Sequence, residues 1–221
     1  MPSDVVLTTV AGAMREYLQD KGDSTDECLR ALAPVNVRHE SERNTAGNQV
    51  SAMLPDLPVQ IEDPRERLRA VMRSSALNKK IAKDIGSREV TDLMKNVPPA
   101  WMASMRMMGV IDSTTPALLP LLCSALVTNV PGPAARLHMA GARLLNMAGM
   151  IVPNDFMGLH HVVNSYNGKL NVSVTMKRSI LPDAEFYREC LQRSFDRLLA
   201  AYPAAAAPSA AETTSPAAAA A

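Results

Sequence analysis

The dipeptide Asn167-Gly168 is the strongest local constraint in this chain. A two-residue type I′ turn needs positive φ at both central positions, and Asn and Gly tolerate it. Beyond the turn, Leu170, Val172, Val174 and Met176 alternate with Lys169, Asn171, Ser173 and Thr175, the period of a half-buried strand. Folding the chain back across the turn pairs Ser165 with Leu170, Val163 with Val172 and His161 with Val174. That register puts His161 on the apolar face and His160 on the polar one. A one-residue slip would reverse every side chain, so the pairing should be well specified.

Other segments add strands and helices in no strict βαβ order. Ser3 or Asp4 is placed to cap a helix reaching about Asp20, with Val6, Val10, Met14 and Tyr17 at helical spacing. Gly22 is its left-handed stop. A strand follows at Ala33–Arg38, then a polar turn around Glu40–Gly47 and a second strand at Asn48–Leu54, with Pro55 and Pro58 ending the pairing. Asp63-Pro64-Arg65-Glu66 is a strong helix start, and Leu68, Val71, Met72 and Ser75 mark that helix's inner face. Helical segments are expected at Glu89–Lys95 and Pro99–Met108. Ser124–Asn129 is a short strand stopped by Pro131-Gly132-Pro133, and a β region continues through Arg143–Val152. Asp183 should cap a last helix ending near Ala201. From Pro203 the chain is rich in Ala, Pro, Ser and Thr, so residues 1–202 read as one domain and 203–221 as a disordered tail. The class is α/β or α+β, with a mixed β-sheet and flanking helices.

The chain has 221 residues and a formal charge of +1, which gives no electrostatic footprint for nucleic acid. Fourteen methionines and only 4% aromatics suit an adaptable apolar interior or partner surface. Cys28, Cys123 and Cys190 have no metal spacing and no even-numbered disulfide framework, so reduced thiols in a cytoplasmic protein are expected. No apolar run approaches the roughly 20 residues of a membrane span. Met1-Pro2-Ser3-Asp4 lacks the basic region of a signal peptide.

His160-His161 is the pair most suggestive of chemistry. The seven residues His160-His161-Val162-Val163-Asn164-Ser165-Tyr166 do not complete the HHxxxDG motif of acyl-CoA-dependent acyltransferases, because no Asp-Gly pair follows. The histidines also fall inside a strand, where a His is usually structural. No residue is therefore assigned a catalytic role, and no metal or cofactor set is visible. Asn129-Val130-Pro131-Gly132-Pro133 is either a rigid loop or a pocket wall, and local chemistry does not choose between them.

Taken in order, the motifs resemble the C-terminal domain of the bacterial wax ester synthase/diacylglycerol acyltransferase family. Ser3-Asp4-Val5-Val6-Leu7 is similar to the family's NDVVLA helix start, with Ser3 in place of Asn. Ala33-Pro34-Val35-Asn36-Val37-Arg38 is similar to PVSVR, and Gly47-Asn48-Gln49-Val50-Ser51 to GNRVS. Leu57-Pro58, Asp63-Pro64 and Arg67-Leu68 follow. Thr128-Asn129-Val130-Pro131-Gly132-Pro133 is the most specific match, and Ser165-Tyr166-Asn167-Gly168-Lys169-Leu170 comes near the end. Lys177 departs from the family's usual Asp. The resemblance covers nearly all of residues 3–202.

The resemblance implies one half of a chloramphenicol-acetyltransferase-like two-domain fold built around a tunnel. It implies an O-acyltransferase that makes triacylglycerol or wax ester, with acyl-CoA as co-substrate and no bound cofactor. The partner would be an N-terminal half carrying HHxxxDG, whose histidine is the general base. Peripheral contact with a membrane or lipid droplet is a further implied partner surface. Asp4, Asn129, Pro131 and Gly132 become substrate or tunnel candidates, while Asn48, Asn167 and Gly168 hold the fold. The isolated chain should then be inactive. It should also expose an apolar docking surface at Val5-Val6-Leu7 and Met102–Met108. The competing expectation is a non-catalytic lipid- or partner-binding protein derived from the same family.

Overall fold

The computed structural model describes residues 2–36, 50–84, 123–133, 135–152 and 157–202. The long apolar helix of the N-terminus is α1, Pro2–Lys21. Proline opens it, so Ser3 and Asp4 lie inside the first turn rather than at the cap. An acid there still complements the helix dipole. Gly22 ends α1 at φ 76°. Its N–H donates to Gln19 O at 3.2 Å and the Asp23 N–H to Leu18 O at 2.9 Å, the paired bonds of a Schellman stop.

Strand β1 is Leu29–Asn36, starting four residues earlier than its sequence pattern suggests. It pairs antiparallel with β2, Val50–Met53, and with β3, Asp56–Leu57. Pairing therefore resumes after Pro55, which does not end it. Helix α2, Pro64–Asp84, begins as its sequence dictates. Asp63 Oδ1 accepts from the N–H groups of Arg65 and Glu66, both at 2.8 Å. Strands β4, Ala125–Val130, β5, His138–Met139, and β6, Ala142–Arg143, follow. The expected β region through Val152 shrinks to this two-residue pair, because 144–152 crosses the face of β7, against Val162, Asn164 and Tyr166, rather than running along a free strand edge. The β5–β6 turn places Ala140 at φ 49° and Gly141 at φ 81°, and alanine is a poor residue for that conformation.

The hairpin forms as its turn requires. Strands β7, Leu159–Tyr166, and β8, Lys169–Met176, pair Ser165 with Leu170, Val163 with Val172 and His161 with Val174. Asn167 and Gly168 have φ of 47° and 75°. Helix α3, Ala184–Ala201, closes the described chain. Asp183 stands at its start without a side-chain cap; its carboxylate pairs instead with Lys21 Nζ at 2.6 Å. That is a correction to the expected cap: the ion pair to α1 outcompetes the local backbone donors.

The sheet runs β2-β1-β4-β7-β8. Strands β1, β4 and β7 are mutually parallel and the outer pairings antiparallel, so the expected mixed sheet with flanking helices is what forms. Helices α1, α2 and α3 cover one face. Val10, Ala11, Val71, Val127, Leu159, Val163, Tyr187 and Cys190 make the core between them, each large apolar side chain contributing roughly 1.5–3 kcal/mol on burial. Three of the eight aromatic residues collect where α1 meets α3. Tyr17 lies 5.7 Å from Tyr187 and 6.0 Å from Phe186, centroid to centroid. Leu32, Cys123, Leu126 and Met157 form a smaller cluster on the opposite face.

The three helices meet at Gly12. A Cβ there would lie 2.2 Å from Ser194 Oγ and 2.4 Å from Arg67 Nη1. Arg67 is buried on α2, where it donates to Ile61 O and Glu62 O at 2.7–2.9 Å. Ser194 Oγ donates to Thr9 O at 2.8 Å. The inner face of α2 thus carries Arg67, Val71, Ser74 and Ser75, while Met72 is 49% exposed and does not belong to it. The helical segments expected at Glu89–Lys95 and Pro99–Met108 lie outside the described residues, as do Glu40–Gly47, Asn48 and the segment 203–221.

Asp63→Ala should lower stability by about 1 kcal/mol, the usual cost of losing an N-cap, measured by urea denaturation. Asp63→Asn should recover most of that loss, since its side-chain oxygen still accepts the two N–H bonds.

Candidate functional site

The end of β4 and the start of α1 come together at one edge of the sheet. Asn129 Nδ2 donates to Ser3 Oγ at 3.3 Å, so two segments 126 residues apart share one corner. Asp4 is buried in that corner at 5% exposure, while Asn129 is open to solvent. The chain then passes through Pro131 and Gly132 against the end of β7. Gly132 N–H donates to Ser165 Oγ at 3.0 Å. A Cβ on Gly132 would sit 2.0 Å from Ser165 O, so only glycine permits this approach. Asn167 N–H reaches Pro133 O at 3.4 Å. Asp4, Asn129, Pro131, Gly132, Asn167 and Gly168 therefore belong to one neighbourhood, built from the helix start, the loop after β4 and the hairpin tip.

The same edge is apolar and open. The register sets Leu170 and Val172 on the helix-bearing face beside Val163, yet they are 49% and 45% exposed; Val130, paired with Asn164 and so on the opposite face, is 48% exposed. The hairpin register is as expected, but its tip runs past the helices that would have covered it. By contrast, Val5 is half-buried and Val6 and Leu7 are 8% and 4% exposed. Their expected role as a docking surface is corrected: the chain's own core covers them. Met102–Met108 lies outside the described residues.

The exposed apolar side chains are instead concentrated on a strap, residues 135–152. Met139, Leu145, Met150 and Val152 are 73–81% exposed. Tyr166 pins the strap to β7, its hydroxyl accepting from Leu137 N–H at 2.9 Å and donating to Leu144 O at 3.0 Å. In the sequence the strap shows only as apolar residues with neither strand nor helix periodicity, where a β region is expected through Val152.

The two histidines face opposite sides of the sheet. His161 is wholly buried on the core side. A carbonyl only accepts, so Nδ1 carries the proton and donates to Leu126 O at 3.3 Å. Nε2 then accepts from the Tyr187 hydroxyl at 2.9 Å. Burial drives its pKa down to about 4, against the opposing Leu126 bond and with the neighbouring His160 adding to the fall. This is a neutral structural imidazole. The Tyr187 hydroxyl is pushed up by burial and stays a donor.

His160 lies on the other face at 2% exposure, opposite Thr175, with Val162 opposite Ser173 and Asn164 opposite Asn171. Burial lowers its pKa, with the Ile151 backbone acting the other way. Neither ring nitrogen reaches hydrogen-bond geometry with a described residue, and the same holds for Asn164 Oδ1 and Asn171 Nδ2. No carboxylate faces either imidazole among these contacts, so the pair forms no acid–base couple. Among the described residues no group of three or more His, Cys, Asp or Glu is placed to hold a metal ion.

A polar cleft of about 900 Å³ lies elsewhere, between α1, α2 and α3, lined by Arg15, Glu16, Glu62, Asp63, Arg67 and Arg197 among others. It is a solvated charge cluster. Burial pushes the Glu16 carboxyl up, but hydrogen bonds and charge from Arg197 and Arg193 outweigh this and hold it below the usual carboxylate value. None of the cleft's lining residues belongs to the Asp4–Asn129–Gly132 corner.

Proton linkage at His161 gives a stability prediction. The unfolded chain takes up the proton near pH 6.5 and the folded one only near 4. This contribution is complete above 6.5, is lost as pH falls to 4, and changes no further below. Its size is roughly 3 kcal/mol. His161→Gln should remove that component, so the difference in unfolding free energy between wild type and variant, followed by urea titration from pH 7 to 4, should shrink as pH falls.

The profile of the wax ester synthase/diacylglycerol acyltransferase C-terminal domain matches residues 46–199. A Mycobacterium tuberculosis protein named as a diacylglycerol O-acyltransferase is 33% identical over 184 residues, spanning 82% of this chain and 35% of its own length. A second from that organism is 29% identical over 197 residues, 89% of this chain and 42% of its own. The wax ester synthase/diacylglycerol acyltransferase from Marinobacter aquaeolei VT8 superposes with a TM-score of 0.63 at 20% identity, over 91% of this chain and 43% of that one. The epimerization domain from tyrocidine synthetase B has a TM-score of 0.50 at 14% identity, covering 90% of this chain and 43% of its own. These structures show a shared fold, that of one half of a two-domain acyltransferase-like architecture. The chain spans between a third and a half of the length of these relatives, and it belongs to the wax ester synthase/diacylglycerol acyltransferase C-terminal domain family.

Proposed function

We propose that this domain is the C-terminal half of an acyl-CoA-dependent O-acyltransferase making triacylglycerol or wax ester from diacylglycerol or a long-chain alcohol. The observation that carries the reading is the corner where Ser3, beside Asp4 in the first turn of α1, meets Asn129 just before Pro131 and Gly132. Two family-like motifs of the sequence are brought together there, beside the exposed apolar side chains of Leu170 and Val172 on the helix-bearing face. Such an edge suits the wall of an acyl tunnel that a second half completes.

The chemistry needs a base that takes the proton of the acceptor hydroxyl. The resulting alkoxide attacks the thioester carbonyl, the C–S bond breaks, and the departing coenzyme A thiolate recovers the proton. In this family the base is the histidine of HHxxxDG, in the part of the fold outside this sequence. A neutral imidazole of suitable pKa contributes about a hundredfold or more to such a step. His161, with its pKa near 4 and both nitrogens engaged, does not suit that task. The present chain would position acyl-CoA and acceptor. The Met- and Leu-bearing strap at 135–152 would meet the N-terminal half, since contiguous exposed apolar surface commonly marks an interface. No described helix is long and apolar enough to cross a membrane, and a cytoplasmic site of action with peripheral contact at a membrane fits the reading.

The test is complementation. The chain is combined with the HHxxxDG-bearing half of a relative and assayed with palmitoyl-CoA plus diacylglycerol or hexadecanol. Product should form only with both halves present. Gly132→Val should cut the complemented rate tenfold or more, because its side chain would strike the Ser165 backbone, whereas His160→Ala should not abolish turnover. Ester formation by the chain alone that disappears in His160→Ala would contradict the assignment and restore a catalytic role to that residue. No product from any pairing would favour a non-catalytic lipid- or partner-binding protein.

A further inference from the structure

We propose that the outward strip of α2 is a docking surface for an anionic phospholipid bilayer. Between Pro64 and Ile81 this helix carries Arg65, Arg67, Arg69, Arg73, Lys79 and Lys80 against a single carboxylate, Glu66, in a chain whose overall charge is only +1. Arg67 turns inward with Val71, Ser74 and Ser75. Arg69, Arg73 and Lys80 point the opposite way, into solvent. They share one face, because residues at multiples of three and four along a helix do. Met72 at 49%, Leu77 at 58% and Ile81 at 45% exposure flank them.

The pairing of these charges separates α2 from its neighbour. On α3, Arg188 is held by Glu185, Arg193 by Glu189 and by Glu16 of α1, and Arg197 by Glu16. The cations of α3 are therefore neutralised within the fold. On α2, Arg65 is tied to Ala201 O at 2.7 Å and lies over the Tyr202 ring. Arg69, Arg73 and Lys80 have no carboxylate partner among the described residues. Three uncompensated cations bordered by exposed Met, Leu and Ile make a surface with charge for phosphate headgroups and apolar side chains for the layer just beneath them. None of the strip's residues belongs to the corner at Asp4, Asn129 and Gly132 or to the apolar strap.

The choice of a lipid surface as occupant rests on the acyltransferase reading, since diacylglycerol and long-chain alcohols reside in membranes. Its test does not use turnover, so the two can fail separately. The full 221-residue chain is mixed with large unilamellar vesicles of phosphatidylglycerol and phosphatidylcholine, or of phosphatidylcholine alone, and bound protein is measured by flotation at low and physiological salt. The chain should bind the anionic vesicles and not the neutral ones. Neutralising the strip with Arg69→Gln, Arg73→Gln and Lys80→Gln should weaken binding about 100-fold, taking a few-fold for each cation near a charged surface. A control with the same charge change at Arg136→Gln, Lys169→Gln and Arg178→Gln should lose far less. Leu77→Ser with Ile81→Ser should lower the binding that survives added salt. Equal binding to both vesicle types, equal losses in the α2 and control triples, or wild-type binding by the α2 triple would each overturn the proposal. So would strip variants that bind vesicles normally but fail to join the N-terminal half, which would make that half the occupant.

Discussion

The close approach at Gly12 is the constraint on which the helical layer depends. Because this position has no Cβ, α3 can bring Ser194 and α2 can bring Arg67 against the same turn of α1. The Arg67 guanidinium is buried there, its pKa lowered by burial to about 10 and so still charged at neutral pH. It is tolerated because its N–H groups end on the Ile61 and Glu62 carbonyls just before α2 begins. A buried charge satisfied by backbone in this way fixes where α2 starts. With α1 held by both other helices, its first turn is delivered to the end of β4, and the candidate site follows from that placement.

The sheet supplies the other half of the geometry. Parallel strands β4 and β7 end side by side, so the loop leaving β4 must turn across the end of β7. Gly132 accomplishes this by lying directly on the Ser165 backbone. The hairpin register then decides which side of the sheet each polar residue takes. It sends His161 to the core, where Tyr187 and Leu126 satisfy it. It sends His160, Asn164 and Asn171 to the face crossed by the strap, where a Cβ on Gly149 would lie 2.7 Å from Asn164 Oδ1. The division of the two histidines is a consequence of period-two alternation and needs no functional explanation.

What was legible in the sequence was local. The Asn167-Gly168 turn, the Asp63 cap and the Gly22 stop follow from backbone chemistry at a few adjacent residues, and each forms as expected. The mixed sheet with flanking helices was legible from the spacing of those elements, and the family from motifs in order. What was not legible depended on distant partners. Asp183 looked like a cap until Lys21 of α1 came within reach. Val6 and Leu7 looked like a free apolar end because the sheet that covers them is assembled from residues more than a hundred positions away. The strap's apolar residues suggest a β region, but the segment is held across the face of β7 by Tyr166 rather than along a strand edge. At the candidate site, Asp4 and Asn129 stand far apart in the sequence, and the fold brings their segments to one corner.

Under the proposed function, acyl substrate lies against the corner formed by the start of α1, the loop after β4 and the tip of the hairpin. The most direct measurement is photolabelling. The chain, reconstituted with an HHxxxDG-bearing half, is exposed to an acyl-CoA carrying a photoreactive group on its acyl chain, and the labelled residues are found by peptide mass spectrometry. The account predicts label on the segment Asn129–Pro133 or on Leu170 and Val172, reduced by competing palmitoyl-CoA. Competable label confined to the polar cleft between α1, α2 and α3 would contradict it.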